Sequence, residues 1–177
     1  MSTPDPYARC TYHGKTMDER TKAAIQVAER RLGYELTIVQ GCYHAGVSAS
    51  AGTHDGGGVV DLAPYDYRRK VRVMRDLGWA IWHRPTIPGV WGEHIHGVLI
   101  GHKTMSASAA AQVVEYRAGG DGLAGSAKDP DPYRPSPIPV FDYAAAMRDV
   151  RIRERIKGLR ARIRAARDRI SYKGGTK

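Results

Sequence analysis

Apolar positions change period several times along this chain, and each change predicts an element. Ala24, Ile25, Val27, Ala28 and Leu32 fall on one helical stripe, which Gly33 ends. Thr16 and Glu19, three residues apart, match a capping box and predict that this helix starts at Thr16. Residues 35–40, with Leu36, Ile38 and Val39, read as a strand whose end carries Gln40 toward any site beside it. A short strand follows at Val59–Leu62, then a helix over residues 68–77 with Val71, Met74 and Leu77 inward. Arg68, Arg69, Lys70, Arg72 and Arg75 would then form its solvated face. Trp79–Arg84 and residues 93–100 read as two more strands, separated by a turn with Pro85 and Pro88. Ser106 or Ser108 caps a helix through Val113, Val114 and Tyr116 that stops at Gly119 and Gly120.

These elements predict an α+β fold: a small antiparallel sheet of about four strands, backed by helices and open on one face. Residues 1–118 would form that domain. Residues 119–142 are dense in Gly, Pro, Asp and Ser and read as a linker. Residues 143–177 read as a basic amphipathic helix and tail, in which Ile152, Ile156, Leu159, Ile163, Ala166 and Ile170 alternate spacings of four and three as in a heptad seam.

Charge sharpens this division. The chain has 177 residues and a formal net charge of +10. Residues 1–143 are almost neutral, with 16 Lys and Arg against 15 Asp and Glu, whereas residues 144–177 carry 12 against 3. The helix is therefore expected to bind an anionic wall polymer, a membrane surface or nucleic acid, or to pair with a second copy as a homodimer through its seam. No stretch reads as a transmembrane segment. The first residues lack a basic and apolar leader, which predicts synthesis in the cytoplasm and action only after release.

Two stretches carry the candidate chemistry. His54 and Asp61 flank the run Gly56-Gly57-Gly58, which lets the chain turn back and bring imidazole and carboxylate together. His96 supplies a third ligand. Two nitrogens and one oxygen on Zn²⁺ leave a fourth position for water, as in catalytic rather than structural sites. Glu93, three residues before His96, would take the proton from that water. His94 and His96 alternate with Ile95 on one strand and so share a face. The plain alternative is an ordinary glycine loop beside packed histidines. Cys10, His13, Cys42 and His44 also have the count of a small structural zinc site.

The motifs His54-x-x-Gly57-x-Val59-x-Asp61 and Glu93-x-x-His96, the latter containing His94-x-His96, resemble the zinc D-Ala-D-Ala carboxypeptidase and dipeptidase family, which includes phage endolysin peptidases. The resemblance spans roughly residues 16–102. It implies Zn²⁺ on His54, Asp61 and His96, Glu93 as catalytic base, and His94 as a group beside the metal or supporting the transition state. It also implies a peptidoglycan stem or cross-bridge peptide as substrate, reached after phage lysis or as virion cargo. Where the family usually has a serine this chain has Gly52, and the segment Val39 to His44 lacks the family's usual arginine. Gln40 is one candidate to support the oxyanion in its place, and Arg84 is another. Both carboxypeptidase and endopeptidase action fit the motifs. The competing expectation is a degenerate wall-binding or virion module that uses its basic helix.

Overall fold

Pairing begins earlier than the hydrophobic pattern suggests. In the computed structural model, which describes residues 3–46 and 50–173 but not the side chains at 166 and 168–173, β1 (Arg9–Tyr12) and β2 (Lys15–Asp18) form an antiparallel hairpin. His13 and Gly14 turn it with φ of 47° and 73°, the paired left-handed conformation that suits a two-residue hairpin. Thr16 pairs with Thr11 in this ladder and cannot cap a helix. The cap passes to Asp18, whose side chain accepts from Thr21 N at 2.8 Å and starts α1 (Glu19–Leu32); Gly33 ends it in the left-handed conformation, as expected.

The remaining strands are β3 (Ile38–Gln40), β4 (Val59–Leu62), β5 (Trp79–Arg84) and β6 (His94–Leu99). They form one antiparallel sheet in the order β3-β4-β6-β5. With the hairpin, the described residues hold two small antiparallel sheets and four α-helices, so the fold is α+β. On one sheet face, Val59, Ala80, Trp82 and Val98 pack against Ala109, Val113 and Tyr116 of α3 (Ala107–Ala118), which Ser106 caps. This face is thus covered along part of its length and open only toward the row holding Asp61 and His96. Leu62, Ile81, Ile95 and Leu99, buried on the alternate positions, belong to the opposite face. α2 (Tyr67–Arg75) packs on β5 and against α1.

Two cations expected on a solvated face of α2 are buried instead. Lys70 donates to Ala63 O at 2.8 Å beneath the Tyr65 ring. Arg75 donates to Ile81 O and to the carbonyls of Asp131 and Tyr133, and pairs with Asp129 at 2.7 Å. Arg134 joins the same carboxylate at 2.9 Å. Residues 119–142 are therefore fastened along the domain by its arginines rather than spanning freely as a linker, and the compact unit runs to Tyr143. A separate unit follows, consisting of α4 (Tyr143–Lys173) from Ala144 onward. On that helix Ile152, Ile156, Leu159 and Ile163 are exposed, whereas Ala166 and Ile170 of the expected seam fall outside the described side chains.

The glycine run is fixed by close approach. A Cβ on Gly57 would come within 2.6 Å of Tyr43 Oη and closer still to Asp18 Oδ2 and His102. Those three groups are locked together, Asp18 accepting from Tyr43 Oη at 2.9 Å and pairing with His102 Nε2 at 3.1 Å. Gly57→Ala is expected to cost about 1–3 kcal/mol of stability, because buried polar partners cannot move aside. Urea unfolding of this variant should show a lower midpoint with an unchanged slope.

Candidate metal centre

Sheet register assembles most of the site. Gln40 lies opposite Asp61, Asp61 opposite His96, and His96 opposite Trp82, so one row crosses the sheet on a single face. Arg84 and His94, opposite each other, form the next row of that face. His54 arrives from a different element, the short 3₁₀ turn Thr53–Asp55. That turn is pinned by Thr53 Oγ1 to Ser50 O at 2.8 Å and by Ser106 Oγ, at the head of α3, to Thr53 O at 3.1 Å. Of the loop expected to rim the cleft, residues 47–49 lie outside the described residues.

His54, Asp61 and His96 converge, with one ligand atom from each lying within 4.8 Å of the others. His54 Nδ1 lies 2.7 Å from Gly41 O, and a carbonyl can only accept, so this nitrogen carries the proton. Nε2 then points inward, buried and without a hydrogen-bond partner, 3.3 Å from Asp61 Oδ2. His96 is oriented in the same manner. Gln112 Nε2 donates to Gly122 O at 3.1 Å, which turns its Oε1 toward His96 Nε2 at 2.8 Å and makes that ring nitrogen the donor. His96 Nδ1 faces Asp61 Oδ1 at 2.8 Å. Two imidazole nitrogens and a carboxylate turned toward one another need protons or a cation among them. This donor set fits a divalent ion, and the outer hydrogen bonds to Gly41 O and Gln112 supply the orientation that metal-binding histidines need.

Burial alone would raise the Asp61 carboxyl, but His54 and His96 beside it outweigh burial and hold it well below the usual carboxylate range. Arg84, also buried, is pushed down to about 10 by desolvation, against the opposing charges of Asp121, Asp129 and Asp61, and so remains a cation at neutral pH.

The triad opens on a cleft of about 370 Å³, whose lining includes Gln40, Arg84, Trp91, Glu93 and His94. Glu93 is half exposed, and its Oε1 accepts from His83 Nε2 at 2.7 Å. His94 Nδ1 donates to Gly92 O at 2.7 Å. Gln40 donates its amide to Ser50 Oγ at 3.1 Å. Trp82 is core, stacked beside His96, while Trp91 borders the cleft. Gly122, Leu123 and Ala124 form part of the wall, so the Gly- and Pro-rich segment contributes to the site. Cys10 and Cys42 are free thiols, and His13 is bonded to Glu29, so the alternative Cys and His cluster is not assembled among the described residues.

Gln112 has no signal in the sequence, since it lies on α3 among residues whose spacing speaks only of packing. Its role gives a direct expectation. Gln112→Ala should fold and should weaken divalent-metal affinity roughly ten- to a hundredfold, measured by competition with a chromogenic chelator. Unchanged affinity would mean that His96 is oriented without it.

No family model, no curated protein and no solved structure matches the chain.

Proposed function

We propose that this protein is a zinc-dependent peptidase that hydrolyses peptidoglycan stem or cross-bridge peptides, as a D,D-carboxypeptidase or an endopeptidase of the endolysin kind. The observation that carries the reading is the buried, unpartnered His54 Nε2 turned on Asp61 beside an equally oriented His96, at the base of an open cleft. His54, Asp61 and His96 would hold the ion. Once bound, zinc supplies polarisation of a carbonyl and acidification of water.

The chain's own residues divide the remaining tasks. Glu93, at the mouth of β6, takes a proton from the attacking water and returns one to the leaving amine. His94 shares the face of His96 and borders the same cleft, in position to support the developing oxyanion. Gln40 is less well suited to that task, because its amide already serves Ser50. Trp91 provides an apolar wall for the peptide.

A second reading draws on a specific contact, the His83–Glu93 pair, which occupies the carboxylate assigned as base. On that reading the domain is a wall-associated or virion binding module and the basic helix carries the affinity for anionic polymer. Purified peptidoglycan separates the two: release of amines or D-alanine that stops with chelator and returns with zinc supports the peptidase. Absence of release from several wall types by zinc-loaded protein would leave the binding module.

A further inference from the structure

Two arginines on or beside β5 are buried, and they are treated differently. Arg75 is fully buried and has its donors spent on four groups, including the Asp129 carboxylate at 2.7 Å. Arg84 is 5% exposed and donates Nη1 to Asp121 O at 2.6 Å. Its Nη2 is buried with no hydrogen-bond partner, and no carboxylate among the described residues forms an ion pair with it. Burying a guanidinium donor without a hydrogen-bond partner is costly, and structures normally avoid it. Arg84 also borders the cleft and lies over the Trp82 ring, 5.0 Å from its centroid, which fixes the plane of its fork.

Its place in the sheet suggests what the fork awaits. Arg84 pairs with His94 and is a diagonal neighbour of His96 on the same face, a relation that separates Cα atoms by about 7–8 Å. In a peptide, the last carbonyl carbon before the C-terminal residue and the terminal carboxylate carbon are three bonds apart, about 3.5–4 Å. An arginine side chain spans the difference. With the reacting carbonyl beside the His54, Asp61 and His96 cluster, a terminal carboxylate falls within its reach.

We propose that Arg84 receives the C-terminal carboxylate of the substrate, so that the site removes one residue from a free peptide end rather than cutting inside a cross-bridge. This rests on the peptidase reading above. A planar fork matches a carboxylate in a bidentate manner, whereas a continuing chain presents a neutral amide and leaves the guanidinium unpaired as the peptide displaces water. Endopeptidase substrates are thereby disfavoured by the same charge that favours a free end.

The test compares an N-acylated D-alanyl-D-alanine with its C-terminal amide, using the zinc-loaded full chain. In parallel, N-acetyl-D-alanine and N-acetyl-D-alaninamide are titrated into the metal-free protein by NMR. The wild type should show a KM for the acid roughly ten- to a hundredfold below that for the amide, with matching selectivity in metal-free binding. Arg84→Lys should narrow the gap and Arg84→Met should close it, with the change in KM rather than kcat. Equal binding of acid and amide by the wild type overturns the proposal without need of any variant. Arg84→Lys lowering kcat equally on both substrates also overturns it, placing the guanidinium at the reacting carbonyl. If the wild type cuts neither substrate yet binds acid over amide, and Arg84→Met loses that preference, the peptidase reading falls and the carboxylate site stands.

Discussion

Asp61→Asn is expected to leave a folded protein whose melting temperature no longer responds to zinc. In the wild type, a divalent ion bound only by the native state stabilises it by about 4 kcal/mol at a thousandfold excess over Kd, which for a chain of this size raises the midpoint by on the order of ten degrees. Asp61 is the only anionic member of the cluster and sits between two imidazoles, at 2.8 Å from His96 Nδ1 and 3.3 Å from His54 Nε2. An amide retains the shape but offers one neutral oxygen and adds a donor where a lone pair is needed. The metal-free protein provides the control. Because the folded carboxyl is held below its unfolded value, Asp61 contributes stability that is present above the unfolded carboxylate pKa and lost as pH falls through the folded one. Asp61→Asn should therefore be somewhat less stable than the metal-free wild type at neutral pH, and should converge with it in strong acid. A zinc-induced rise of equal size in both proteins would show that the ion binds elsewhere, and the cluster would then be a structural ion pair.

What could be read in advance follows from the range of the forces involved. The boundaries of β4 and β5, the Gly33 stop of α1 and the Ser106 cap of α3 are set by neighbours a few residues away, and they stand where the periodicity and cap chemistry put them. The motif spacing likewise brings His54, Asp61 and His96 together, because a glycine run and strand alternation are local geometry. The β1–β2 hairpin was hidden because its strands are only four residues long, with Cys10, Tyr12 and Met17 as their sole apolar positions, while Thr16 and Glu19 imitate a helix start. Arg75 shows the opposite limit. Its spacing on α2 reads as solvent-facing, and it is drawn inside by Ile81 O and by Asp129, Asp131 and Tyr133, far along the chain in a segment without periodicity. The contributions of Gly41, Gly122 and Asp121 to the site are backbone carbonyls, which no residue pattern encodes.

Glu93→Gln is expected to separate metal binding from chemistry. Glu93 is not among the three converging ligands, so the variant should keep the zinc-dependent rise in melting temperature. Glu93 borders the cleft half exposed, just ahead of β6, and its carboxylate accepts from His83, which pairs with Ile95 on the sheet face opposite His96, so serving as base requires the carboxylate to turn from His83 to the cleft. A glutamine there can still accept a hydrogen bond from His83, but it cannot take up a proton from water. Loss of a positioned general base lowers kcat by roughly 10²- to 10⁴-fold, and the release of D-alanine or amines from peptidoglycan should fall by that factor. The contact with His83 makes the outcome informative in either direction. If the pair orients the base, then His83→Gln, which keeps a hydrogen-bond donor without the imidazole, should reduce kcat much less than Glu93→Gln while leaving zinc binding alone. If Glu93→Gln retains full hydrolysis, the carboxylate belongs to a surface ion pair and the proton must be taken by another group bordering the cleft. His94, an imidazole bordering the same cleft, is then the residue to replace next.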